Sequence, residues 1–128
     1  VAPRREPSIV VVGRDPLVAR GLVTYLTEAG FPARAARELP SPPSLDAQVV
    51  AVIAFPDELP EPLALAPVAA LQRHRQDVLL VLVSSRPSRF AELVKRARRS
   101  TVALPAPVFG WALVDLVRAH QAEAGGRR

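Results

Sequence analysis

No cysteine occurs in the 128 residues, so neither a disulfide framework nor a thiolate metal site is open to this chain. Aromatic residues are scarce at 5%, against 49% hydrophobic residues overall, and the core must be built from Val, Leu and Ala rather than from packed rings. No apolar run approaches the length of a membrane span, and the basic N-terminus is not followed by a secretory apolar segment. These absences lead to the expectation of a cytoplasmic protein. Lysine is nearly missing as well: Arg supplies all but one of the 17 basic residues. At this length the chain is expected to form one domain with a sizeable core.

The net charge of +5 raises the question of a nucleic-acid partner. Arg4-Arg5 and Arg127-Arg128 lie in the tails, however, and Lys95, Arg96, Arg98 and Arg99 cluster at one helix end, where cations complement the macrodipole. No helix-turn-helix pair, finger spacing or RNA-binding aromatic motif accompanies them. A solvated basic face is the favoured reading. Nucleic acid is expected only through a separate output domain, with association through the Arg-rich helix end as the weaker alternative.

The chain is organised around Ser8 to Phe31. Ile9 to Val12 is an unbroken β-branched run, suited to a strand buried on both faces of a parallel sheet. Asp15 is placed to cap a helix whose first residue is Pro16. Val18, Leu22, Leu26 and Ala29 then recur at helical spacing, and Gly30 supplies a left-handed C-terminal cap. Residues 32–36 form a second, edge-like strand. Pro40, Pro42 and Pro43 forbid a regular helix next, leaving a loop or at most one turn. Residues 49–55 and 78–83 are central strands, separated by a Pro- and acid-rich loop and a helix through Leu65, Val68, Leu71 and His74 with Pro67 near its start. A helix over 88–99, a short strand at 101–104 and a last helix over 109–122 carrying Leu113, Val117 and His120 inward complete the pattern. Residues 1–7 read as a flexible lead and 123–128 as a flexible tail or linker. Strands alternating with helices imply a single three-layer, doubly wound α/β domain over 8–122. The expected sheet is five-stranded and parallel in the order 2-1-3-4-5, with the second helix shortened or missing.

The opening stretch Val10-Val11-Val12-Gly13-Arg14-Asp15-Pro16-Leu17 resembles the start of a receiver domain of bacterial two-component response regulators, in an atypical, degenerate form. That resemblance covers about residues 8–121, mostly as pattern. It implies a pocket at the carboxyl ends of the strands. There an acidic pair and a strand-end Asp hold Mg²⁺, the same Asp accepts a phosphoryl group, and a Ser/Thr and a Lys-Pro contact the phosphate. Against that frame the acidic pair is Gly13-Arg14, and Ile53, or Val52 with a slip, stands at the phosphoacceptor. Ala103 replaces the aromatic switch residue, and Ala106-Pro107 replaces Lys-Pro, keeping a proline whose preceding peptide is cis in the family. Only Ser84 is retained. Arg14 is expected to pair with Asp57 or Asp15 and fill the vacated pocket. No metal and no cofactor are expected.

An enzyme is not expected either. His74 and His120 sit among apolar neighbours, Ser84-Ser85 lacks the glycines of a nucleophile elbow, and the first loop has too few glycines for a dinucleotide fingerprint. Asp15, Asp57 and Asp77 show no metal-ligand spacing. The last helix instead offers Trp111 and Leu116 as interface anchors, with Arg89 and Arg96 as rim charges. The resulting expectation is a phosphorylation-independent pseudo-receiver, a regulatory module that contacts an unknown protein or a second copy through its last helix. It either stands alone or precedes an output domain. The alternatives are a domain switched by a small ligand in the altered pocket, and one phosphorylated at a displaced Asp57.

Overall fold

The structure, a computed structural model, describes residues 7–58, 65–97 and 99–126. The expectations for residues 1–6, for the loop at 59–64, for Arg98 and for residues 127–128 lie outside the described residues. In chain order the elements are β1 (Ser8–Val12), α1 (Pro16–Glu28), β2 (Ala33–Ala36), β3 (Val49–Ala54), α2 (Leu65–His74), β4 (Leu79–Ser84), α3 (Ala91–Arg96), β5 (Thr101–Pro105) and α4 (Gly110–Gly126). Three short 3₁₀ turns lie between them, at Pro42–Ser44, Pro56–Glu58 and Pro87–Phe90.

All strand pairs are parallel, in the order β2-β1-β3-β4-β5 expected from the sequence. The apolar runs are continuous because both faces of the sheet are covered. Ile9, Val11, Ala51, Ile53, Val81 and Val83 turn to one side and bury Ala19 and Leu26 of α1 with Leu113 and Val117 of α4. Val10, Val12, Val52, Ala54, Leu80 and Leu82 turn to the other and bury Val68 and Leu71 of α2 with Phe90. This is the two-residue alternation of a strand, with a hydrophobic layer on each side.

Local chemistry sets the element ends. The Asp15 carboxylate accepts from the N–H of Leu17 at 3.0 Å and of Val18 at 3.4 Å, which caps α1 ahead of Pro16. Gly30 has φ of 102°, the left-handed position that ends the helix. Where a second crossover helix would lie, the prolines allow only the turn at Pro42–Ser44, after which Leu45 is buried against α2 and β3.

The helices depart from the sequence reading in four places. Pro67 is the third residue of α2 rather than its start, in the first turn where its missing N–H costs no hydrogen bond. His74 is exposed rather than part of the apolar stripe. α3 is shorter than 88–99: it begins after the 3₁₀ turn and stops at Arg96. There the N–H groups of Ser100 and Thr101 both bond the Ala97 carbonyl and turn the chain into β5. Finally, α4 continues through Gly126, past the expected end at Ala122 and into the stretch read as a tail. His120 lies half-buried in α4, its Nε2–H donating to the Asp77 carbonyl at 2.9 Å. Among the described residues no helix is long and apolar enough to cross a membrane.

Candidate functional site

The strand order reverses between β1 and β3, and in an open α/β sheet the crevice outside the carboxyl ends at that point is where ligands bind. The parallel register pairs Val12 with Ala54. The Phe55 N–H then donates to the Val12 carbonyl at 3.0 Å, so Gly13 and Phe55 leave the sheet side by side. A Cβ built on Gly13 would lie 3.2 Å from the Phe55 ring and 3.1 Å from a Glu58 carboxylate oxygen. A side chain here would press on both, and each would have to give by a few tenths of an ångström.

This corrects the register expected for the third strand. Ile53 is fully buried in the layer beneath α1 and α4, and Val52 is fully buried in the opposite layer. Neither reaches the crevice. The residue beside Gly13 is Phe55.

The 3₁₀ turn Pro56–Glu58 then sends two carboxylates in different directions. Glu58 reaches back to β1, its Oε1 accepting from the N–H of Arg14 at 2.7 Å and of Asp15 at 2.9 Å. Asp57 reaches across to the end of β4. Its Oδ1 accepts from the Ser84 hydroxyl at 2.7 Å, and its Oδ2 accepts from the Ser85 N–H at 2.8 Å and the Ser85 hydroxyl at 3.0 Å. Ser84 is fully buried, and its Oγ also accepts from the Arg86 N–H at 3.0 Å, so this hydroxyl is used as donor and acceptor at once. Arg89 completes the cluster with Nη1 3.7 Å from Asp57 Oδ1 and its guanidinium 5.5 Å from the centre of the Phe90 ring. The Ser85 N–H, then the two serine hydroxyls and the Arg89 charge, hold the Asp57 carboxyl below its ordinary pKa against the opposing effect of partial burial.

The pairing expected for Arg14 is not formed. Among the described residues no ion pair joins Arg14 to Asp57 or Asp15: Arg89 takes the place beside Asp57, and Asp15 is the cap of α1. Arg89 therefore belongs to the Asp57 cluster, with its side chain partly exposed. The reason is local: the turn after Pro87 brings Arg89 round to the same edge as Ser84 and Ser85.

The remaining positions fall as follows. Ala103 sits within β5 opposite Leu82, half-buried against the α2-side layer. The Ala106 N–H donates to the Ser84 carbonyl at 3.0 Å, and the Ala106–Pro107 peptide is cis. Leu116 is half-buried against the α1/α4 layer and is not an exposed anchor, whereas Trp111 is 60% exposed. Its ring stacks on that of Phe109, itself 65% exposed, at a centroid distance of 6.2 Å and an interplanar angle of 10°. Arg96 lies at the other end of the sheet, where it lines a groove of about 930 Å³ with Arg73, Lys95 and Arg99.

The side chains at the strand ends do not suit the Mg²⁺ of a receiver pocket. Mg²⁺ calls for several convergent oxygen ligands. Gly13, Arg14 and Phe55 offer none from their side chains, both oxygens of Asp57 accept from the serines, and Oε1 of Glu58 accepts from two backbone N–H groups. Among the described residues no group of three His, Cys, Asp or Glu could hold a metal ion. Sequence reasoning missed Phe55, Glu58 and Ser85. The one available signal was Pro56, which ends the strand and marks Phe55 as the residue at its mouth.

No protein-family model and no curated protein matches this sequence. Solved structures do. The signal receiver domain of an HD domain-containing protein from Pseudomonas fluorescens Pf-5 superposes with a TM-score of 0.76 at 18% identity, covering 95% of this chain and 99% of that one. A CheY-like response regulator receiver domain protein from Methanospirillum hungatei JF-1 gives a TM-score of 0.76 at 14% identity, covering 97% and 100%. A response regulator receiver protein from Sinorhizobium medicae WSM419 gives 0.74 at 15%, covering 90% and 94%. At these identities the likeness is one of architecture: this chain has the five-stranded, doubly wound fold of response regulator receiver domains.

Proposed function

We propose that this chain is a receiver-fold regulatory domain that acts through protein contact and without phosphorylation, a non-enzymatic pseudo-receiver. The observation that carries this reading is the use already made of its two strand-end acids. Both Asp57 oxygens accept from Ser84 and Ser85, and Glu58 accepts from the first loop, while Gly13 and Phe55 fill the space between β1 and β3. A phosphoacceptor needs a free carboxylate oxygen in line with the donor phosphorus and a cation to neutralise the transferring group. Here the nearest cation to Asp57 is Arg89, at the distance of a loose ion pair.

The contact role rests on Phe109 and Trp111. Two stacked, mostly exposed rings at the start of α4 form an anchor of the kind that protein interfaces use. The experiment is incubation with acetyl phosphate and Mg²⁺ followed by intact-mass measurement. The reading expects no phosphoryl adduct. An adduct that disappears in Asp57→Asn would replace it with phosphorylation at a displaced aspartate.

A further inference from the structure

Arg14, Arg20 and Arg37 come from three different elements, the loop after β1, the second turn of α1 and the chain leaving β2, and they line one hollow of about 410 Å³. Its lining is otherwise small and apolar: Ala19 and Val23 of α1, with Ala35 and Ala36 at the end of the edge strand. Among the described residues none of those lining it is acidic. Asp15, next to Arg14, is turned to the first N–H groups of α1, and Glu58 to the backbone of Arg14 and Asp15, while Glu38, next to Arg37, is exposed and takes part in no ion pair among the described residues. Among the described residues none of the three arginines takes part in an ion pair.

Three arginines that line one hollow with an apolar floor, none of them in an ion pair among the described residues, suit one kind of guest. Guanidinium groups pair with carboxylate and phosphate through two parallel N–H donors, and an apolar floor of this size takes a ring or a short chain. The hollow opens at the carboxyl ends of β1 and β2, on the β2 side of the first loop. We propose that this hollow is a binding site for a small amphipathic anion, a ring or short chain carrying one carboxylate or phosphate. The site lies on the opposite side of the first loop from Asp57 and stands whether or not that aspartate accepts a phosphoryl group. Arg14 links the two regions, for its backbone N–H is one of the two that Glu58 holds.

The test is titration of the ¹⁵N-labelled chain with four probes: phenyl phosphate, benzoate, the uncharged benzamide, and inorganic phosphate. Saturable shifts are expected at the amides of Arg14, Ala35 and Ala36 with phenyl phosphate, benzoate or both, and whichever binds identifies the head group. Benzamide and inorganic phosphate should each bind about tenfold or more weakly, since each lacks one half of the recognition. The double variant Arg20→Ala/Arg37→Ala should lose at least about tenfold in affinity, while Arg96→Ala, in the distant groove, should bind as the parent does. Equal binding of benzamide would reduce the site to a greasy surface, and equal binding of inorganic phosphate to a general attraction for anions. Either result overturns the proposal, as does the absence of saturable shifts or undiminished binding by the folded double variant.

Discussion

The Glu58 carboxylate stands at the edge of the space that a side chain at position 13 would need, with its Oε1 3.1 Å from an ideal Cβ on Gly13. Glu58 is fixed there by the N–H groups of Arg14 and Asp15, and Phe55 closes the other side. An acid restored at position 13 would meet a carboxylate and an aromatic ring. Gly13→Asp is therefore expected to destabilise the fold by about 1–3 kcal/mol in urea unfolding, through overpacking and like-charge contact. It is also expected to show no Mg²⁺-dependent rise in melting temperature. A rise would mean that the crevice accepts the ion once one acid is present.

Glu58→Ala leaves two backbone donors of the first loop without their acceptor. The site is open to water, which limits the loss, and a cost of about 1 kcal/mol is expected. Amide exchange at Arg14 and Asp15 should quicken, while exchange in β4 should stay as it is. Unchanged exchange at both amides would show that the bond does not hold the loop in solution.

The Asp57 cluster should rank by burial. Ser84→Ala removes a buried hydroxyl that donates to Asp57 and accepts from Arg86, and should cost about 1–3 kcal/mol. Arg89→Ala removes a loose, half-exposed pair and a ring contact, and should cost less than about 1 kcal/mol. Equal losses in urea unfolding would contradict the ranking.

Acid titration gives a sign as well as a size. The folded Asp57 carboxyl lies below its ordinary value, chiefly through the Ser85 N–H, and Asp77 lies below it through its hydrogen bond from Arg75. A depressed carboxyl contributes stability that is complete above the unfolded value, about 3.9, and is lost as pH falls through the folded value. Asp57→Asn should therefore be less stable than the parent near neutral pH, with the gap closing below about pH 4 as the parent loses its advantage. A gap that widens on acidification would reverse the assignment.

Trp111 and Leu116, five residues apart on one helix, are expected to separate by stability. Trp111→Ser should change unfolding by less than about 0.5 kcal/mol because the ring is mostly exposed, whereas Leu116→Ser should cost about 1–2 kcal/mol. A large loss at Trp111 would place it in the core rather than on a contact surface.

The strand order and the covering of both sheet faces were legible because parallel strands buried on two sides are written as unbroken apolar runs. The same property hid the register at the crevice. In Val49 to Phe55 every residue is apolar, so alternation cannot tell which one faces the mouth: it offers Ile53 or Val52, while the residue beside Gly13 is Phe55. α1 was legible through Asp15, Pro16 and Gly30, whose roles are local. The partner of Asp57 was not, because Arg14 and Arg89 are equally plausible cations along the chain and only the turn at Pro87 decides between them. The hollow under Arg14, Arg20 and Arg37 was likewise beyond the sequence, since its walls meet only when β2 lies against α1. The end of α4 is not legible in the sequence because Gly125-Gly126 weakens a helix without forbidding it.

The central claim is that the crevice between β1, β3 and β4 is closed by the protein's own groups. It is tested most directly by ¹⁵N spectra recorded with Mg²⁺ and beryllofluoride, a phosphoryl mimic, added together and singly. The amides of Phe55, Ser84 and Ser85 are expected to keep their positions throughout. Saturable shifts at Phe55 and Ser84 that require both additions would contradict the account.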